Sequence, residues 1–209
     1  MSQTERYERL RLLVRQRSRQ RRRQARQIDV LCNDLIGAQR TFLHRLQDIG
    51  FAAEFYRALL GSTDVRVLLA RAGQTIAQEF PGVAVAFFLR QPDGGEFYAA
   101  PGGESLHDGR RRPQDCFDPE LAEAICKRNQ PCTLDDLSRV GADSDWETLN
   151  RYSLMTLPLS DQGRSLGFVL LYCRLPQVLH ATDIRRVRPV LCGLAQAVRA
   201  VHVPLTARQ

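Results

Sequence analysis

The 209-residue sequence predicts an α+β fold: a small antiparallel sheet with helices on one face, preceded by a long N-terminal helix. Three observations predict it. A heptad pattern runs through the first 49 residues without a proline. Two pairs of apolar segments each fold back at a glycine-containing turn, and two later segments repeat apolar residues at steps of three and four. With 44% hydrophobic residues the chain supports one ordinary domain of about 150 residues plus an appendage. The expected division is residues 1–49 as an Arg-rich helix, 50–204 as the domain and 205–209 as a disordered tail. The longest uninterrupted apolar run, Val83 to Leu89, is far short of the roughly 20 residues that cross a bilayer. Met1-Ser2-Gln3-Thr4-Glu5-Arg6 has no apolar signal segment. A cytoplasmic chain without membrane contact is expected.

The net charge of +7 is unevenly placed. Residues 1–26 hold ten Arg against Glu5 and Glu8, whereas the remainder carries nineteen Arg and Lys127 against twenty-one acids. Basic character therefore belongs to the N-terminal arm. From Tyr7 a heptad places Tyr7, Val14, Arg21, Ile28, Leu35, Phe42 and Ile49 at one position. Leu10, Arg17, Gln24, Leu31, Ala38 and Arg45 follow three residues later. The seam is polar in the middle, so 28–49 should pair better than Arg15 to Arg26. A continuous helix over residues 5–49 would reach roughly 68 Å, and its seam would be wet if it stood alone. A parallel homodimer covers it; in the alternative reading, residues 28–60 pack as a first helix on their own domain.

Beyond Gly61, Ser62-Thr63-Asp64 is an N-cap, with Val65, Leu68, Leu69, Ala72, Ile76 and Phe80 on one helical face until Pro81-Gly82. Residues 83–89 and 96–100 form a hairpin around Gln91-Pro-Asp-Gly-Gly95, where Asp-Gly-Gly supplies positive φ. Residues 101–117 are a Gly, Pro and Arg-rich loop. Asp118-Pro119-Glu120 then opens a short helix to about Asn129. Cys132-Thr133-Leu134 is a short edge strand, and Asp135 to Asn150 is polar and irregular. Strands Ser153–Leu159 and Ser165–Cys173 are joined by Asp161-Gln162-Gly163. Thr182-Asp183 caps the last helix, whose face is Ile184, Val187, Leu191, Leu194, Val198 and Val201, with a kink at Pro189, whose ring removes one hydrogen bond. Strands 83–89, 154–159 and 166–172 are nearly continuously apolar, as central strands covered on both faces must be.

This order, and above all Leu154-Met-Thr-Leu-Pro-Leu159, a Gly-containing turn, Leu166-Gly-Phe-Val-Leu170 and Ala181-Thr-Asp183 before the last helix, resembles the GAF domain over about residues 50–202. The resemblance implies an antiparallel sheet with helices on one side and, on the other, a ligand pocket whose occupancy is passed to the terminal helices. In this chain the cavity layer would come from Phe97, Tyr98, His107, Phe117, Trp146 and Tyr152. Aromatic rings beside irregular backbone suit a planar ligand, and the same residues also suit a plain covering of the sheet. The Asn-Lys-x-x-x-Phe-x-x-x-Asp-Glu run of cyclic-nucleotide binders is absent, as is the Pro-Xaa-Ser-Asp-Ile-Pro run of bilin binders. Haem has only His107 and His180 to recommend it, so no cofactor is named.

One branch of the family reduces free methionine sulfoxide with cysteine thiols. Cys116, Cys126 and Cys132 lie in the corresponding region, but the loop before Ser153, where those reductases hold a cysteine, has none. No catalytic residue and no enzyme are expected, and six cysteines without a CxxC make no zinc framework. Asp135-Asp136 reads as a solvated turn.

The arm offers Arg15, Arg17, Arg19, Arg21, Arg22, Arg23 and Arg26 ahead of the heptads, the order found in basic leucine zippers. Without their base-reading Asn and Ala-Ala spacing, it supports nonspecific nucleic-acid or acidic-surface binding, or else a solvated helix. The expectation is a sensory or regulatory module that binds a small ligand and signals through a dimeric coiled coil to a partner protein. The alternative is a nucleic-acid-binding adaptor on a GAF-like scaffold, with the thiol reductase third. No kinase, cyclase or helix-turn-helix segment follows the last helix, which leaves the output to another protein or to the arm.

Overall fold

A computed structural model describes residues 3–90, 97–101, 112–139 and 144–206. The chain divides into two compact units, Met1–Ile49 and Gly50–Gln209.

Helix α1 spans Gln3–Leu59. In the first unit its described side chains from Arg11 to Ile49 are all exposed. With no proline and a single internal glycine, Gly37, nothing breaks the 3.6-residue ladder there. Ile28, Leu31, Leu35, Phe42 and Ile49 are among the large apolar side chains left in solvent.

The second unit contains a five-stranded sheet of order β2-β1-β5-β4-β3 with every pair antiparallel. Its strands are β1 Ala84–Arg90, β2 Phe97–Pro101, β3 Cys132–Thr133, β4 Tyr152–Asp161 and β5 Arg164–Arg174. The central strand β5 has seven consecutive buried residues, Gly167 to Cys173. Because strand residues alternate in direction, one apolar run fills two cores. Val85, Phe87 and Leu89 with Val169, Leu171 and Cys173 face the first core. There they meet Phe51, Phe55 and Leu59 of α1, α2 (Val65–Glu79) and α6 (Ala181–Thr206). Ala84, Ala86 and Phe88 with Phe168, Leu170 and Tyr172 face the second core. It is roofed by a 3-10 turn at Pro113–Cys116 and the short helices α3 (Pro119–Arg128), α4 (Leu134–Ser138) and α5 (Trp146–Leu149).

Local chemistry places the ends. Asp64 accepts from the Arg66 amide at 2.6 Å to start α2, and Asp118 accepts from the Leu121 amide at 2.6 Å to start α3, which closes on left-handed Asn129. Gln162 and Gly163, with φ of 49° and 78°, make the two-residue turn between β4 and β5. In β5, Gly167 has φ of 143°, and a Cβ there would stand 1.8 Å from the Phe88 carbonyl oxygen. Only glycine lets the strands approach at that point.

Two expectations are revised. Residues 135–150 are not all irregular. Asp136 accepts from the Thr133 amide and hydroxyl, at 3.0 and 2.8 Å, and Asp145 does the same for Thr148, at 3.1 and 2.9 Å. These contacts set single helical turns that Leu137 and Leu149 anchor in the core. Asp136 is therefore a structural carboxylate, held below the usual carboxylate range by the Thr133 amide and hydroxyl. Helix α6 begins at Ala181, before the expected cap, because Asp183 reaches back to accept from the His180 amide at 2.9 Å. It includes Pro189, whose carbonyl accepts from the Tyr56 hydroxyl at 3.4 Å, and runs to Thr206. The turn expected at Gln91–Gly95 and residues 207–209 lie outside the described residues.

Candidate functional site

Of the expected pocket residues, Phe117, Trp146 and Tyr152 lie on the second face of the sheet. Phe88 and Phe168, partners on β1 and β5, stack with centroids 4.5 Å apart and planes 9° apart. Phe117, just after the 3-10 turn, adds a third ring 5.4 Å from Phe88 and 6.0 Å from Phe168. It is buried among apolar neighbours, so it acts as a plug on this face. Toward the opposite end of β5, Tyr152 meets Tyr172 edge-on at 5.9 Å, and the Tyr172 hydroxyl donates to buried Gln114 Oε1 at 3.1 Å. Trp146 opens α5 and packs half-buried against the same core. Buried Thr156 donates to the Cys132 carbonyl at 3.4 Å.

Trp146 and Tyr152 thus remain partly exposed at this core, while Phe117 is committed to packing. Phe97 and Tyr98 are strand residues paired with Arg90 and Leu89, and their side chains lie outside the described residues, as does His107 entirely. The edge of this face carries an ion pair between Arg90 and Glu123, with Lys127 3.8 Å from the same carboxylate. That pairing holds the Glu123 carboxyl below its ordinary range and the Arg90 guanidinium above its own.

None of the six cysteines is in a disulfide. Cys116, Cys126 and Cys132 are buried in the second core, where the Cys116 thiol donates to the Arg112 carbonyl and the Cys132 thiol to the Gln130 carbonyl. Burial pushes the Cys126 thiol up, against a smaller opposing effect of a hydrogen bond with Ser165. A nucleophilic thiol needs the opposite shift.

A concavity not anticipated from sequence is an open cleft of about 620 Å³ between the end of α2 and the start of α6. Glu79, Phe80, Gln177, His180, Asp183 and Arg186 are on its walls. Arg186 pairs with Glu79 and lies over the rings of Phe80 and Phe51, at 5.5 and 5.8 Å. Gln177 Nε2 donates to the Pro81 carbonyl at 2.9 Å. Its charged groups satisfy one another, and nothing in residue spacing brings positions 79 and 186 together. On α1, Arg15, Arg17, Arg19, Arg21, Arg22, Arg23 and Arg26 are all exposed.

The fold and its two-sided core define a small α+β domain, and a family model described as GAF domain matches residues 62–199. The chain belongs to the GAF domain family, typically sensory and regulatory ligand-binding modules. The GAF domain of an Acinetobacter phosphoenolpyruvate-protein phosphotransferase is similar, with TM-score 0.58, 12% identity, and coverage of 77% of this chain and 98% of that one. The GAF domain of the potassium sensor histidine kinase KdpD from Escherichia coli has TM-score 0.51, 19% identity, and coverage of 76% and 98%. Reduced fRMsr of Staphylococcus aureus, a methionine sulfoxide reductase, has TM-score 0.54, 8% identity, and coverage of 72% and 94%. These likenesses establish fold. No curated protein matches the chain. Among the described residues, no helix is long and apolar enough to cross a membrane.

Proposed function

We propose that this protein is a non-enzymatic sensory module. It takes a small planar ligand over the second face of the sheet and works as a homodimer joined along residues 28–49, signalling to a partner protein. The observation that carries the reading is the row Ile28, Leu31, Leu35, Phe42 and Ile49, exposed by 58 to 69% on one helix. Burying such side chains is worth about 1.5–3 kcal/mol each, so a second copy of the same seam is the economical cover. Trp146 and Tyr152 support the ligand position, because both are half-buried against the second core, where Tyr152 meets the Tyr172 ring whose hydroxyl donates to Gln114. Phe97 and His107 complete the proposed pocket, and Tyr98, in register with Leu89 of the first core, is left out of it.

The thiol reductase reading is set aside because Cys126 is pushed toward its protonated form and its neighbours are buried. The absence of disulfides fits action in a reducing cytoplasm. A native mass spectrum of the untagged protein tests the reading directly. A dimer with a stoichiometric small-molecule adduct is expected, and replacing Ile28, Leu35, Phe42 and Ile49 with Gln should give a monomer. A dimer surviving those substitutions would end the coiled-coil proposal; an adduct retained by a Trp146→Ala, Tyr152→Ala variant would move the ligand elsewhere.

A further inference from the structure

We infer that the N-terminal part of α1 presents a second binding surface, an arginine stripe fitted to the phosphate backbone of duplex nucleic acid. Arg11, Arg15, Arg19, Arg22 and Arg26 step by four, four, three and four along a continuous helix, and all five are exposed. At about 100° per residue they share one strip of roughly 80° of arc and extend over about 22 Å of helix. The Ile28, Leu31, Leu35, Phe42 and Ile49 seam continues along the roughly opposite face. A copy paired along that seam would leave the stripe outward, and a lone helix would leave it equally open. The inference therefore stands apart from the sensor reading.

Charge argues for a polyanion. No acidic residue lies between Glu8 and Asp29, and like charges at three- and four-residue spacing repel. The helix keeps that repulsion, and an anionic chain laid along the stripe would turn it into attraction. Guanidinium groups grip phosphate through two parallel N–H donors, and a helix of about 10–12 Å diameter fits a major groove about 12 Å wide. A lipid surface is a poorer fit. Interfacial helices need an apolar face opposite their basic one along its whole length, whereas here only Leu13 and Val14 are apolar on the facing side before Arg17, Gln20, Arg21 and Gln24. Nothing on the stripe distinguishes bases, so the contact is independent of sequence.

The test is fluorescence anisotropy of the full chain with two unrelated 24-base-pair DNA duplexes between 50 and 200 mM NaCl. Both duplexes should bind alike, with log K falling against log salt at a slope of about −4.5 per engaged helix. Two variants of equal charge loss locate the site. Arg15→Gln, Arg19→Gln, Arg22→Gln should weaken binding about tenfold or more at 100 mM salt, and Arg17→Gln, Arg21→Gln, Arg23→Gln by clearly less. Light scattering on each variant separates a loss of the stripe from a loss of the dimer. Equal effects of the two triples would make binding a matter of net charge and overturn the stripe. Absence of duplex binding by the parent, or binding only to phosphatidylglycerol vesicles, would overturn it as well.

Discussion

Phe88 and Phe168 stand directly opposite each other on β1 and β5, their rings stacked 4.5 Å apart, with Phe117 laid against both. This trio closes one end of the second sheet face. It leaves Trp146 and Tyr152, of the residues expected around a ligand, as the described side chains still partly open on that face.

Phe117 is therefore a stability residue. Phe117→Ala should lower unfolding free energy by about 3–5 kcal/mol, as large aromatic truncations in cores do, read from urea denaturation. A change within 0.5 kcal/mol would show that the ring stands over an open cavity.

Gly167→Ala should be among the most damaging single substitutions in the chain. The added Cβ would meet the Phe88 carbonyl oxygen at 1.8 Å, and the φ of 143° is itself unfavourable for an L side chain. The two central strands would have to separate. Insoluble expression or a loss above about 3 kcal/mol is expected; a normally folded variant, with a circular dichroism spectrum and melting midpoint like the parent's, would contradict this.

Thiol accessibility should divide the cysteines in two. Cys32 and Cys192 are exposed, whereas Cys116, Cys126, Cys132 and Cys173 are buried. Iodoacetamide followed by peptide mass mapping should mark the first pair quickly and the other four only after denaturation. Burial is the largest influence on both Cys126 and Cys173 and raises both above the ordinary thiol value. The sign follows: the folded state holds these protons more tightly than the unfolded one. Their contribution to stability is complete below the unfolded thiol pKa and is lost as pH rises through the higher folded values. The protein should thus be easier to unfold at alkaline pH, and replacing both with Ala should flatten that alkaline limb.

Arg199 should fasten α6 to the β4–β5 turn. Its guanidinium lies 2.6 Å from Asp161, a nearly buried carboxylate, and 3.2 Å from Gln162 Oε1. Arg199→Met keeps much of the side-chain stem and removes the charge, leaving Asp161 without this partner. A destabilisation of about 1–3 kcal/mol is expected, with Arg199→Lys recovering part of it. An unchanged melting temperature for the Met variant would show that solvent already satisfies Asp161.

Much of the fold was legible because local rules specify it. The proline-free heptads gave α1, Asp64 and Asp118 marked the starts of α2 and α3, and the apolar runs at 83–89 and 166–172 announced strands covered on both sides. The short helices α4 and α5 were missed because a polar run with no periodicity looks irregular. Each is a single turn set by one Asp–Thr exchange and one buried leucine. The early start of α6 was missed for a related reason, since Asp183 serves from inside the first turn.

The sequence by itself determined the family resemblance, the strand segments, the separation of basic arm from near-neutral domain, and the seam on α1. Those features depend on residues near one another along the chain, where helical and strand periods convert spacing directly into a shared face. Tertiary structure alone decided which aromatic residues fill the core and which stay open. Phe117 and Trp146 look alike as aromatic residues in loop sequence, but one is seated on the Phe88–Phe168 stack, brought together across 80 residues of chain, and the other packs only half-buried against the same core. It also decided the pairing of Arg186 with Glu79 and the protonated, sheltered state of Cys126. Burial is a property of all the neighbours at once, and no spacing rule encodes it.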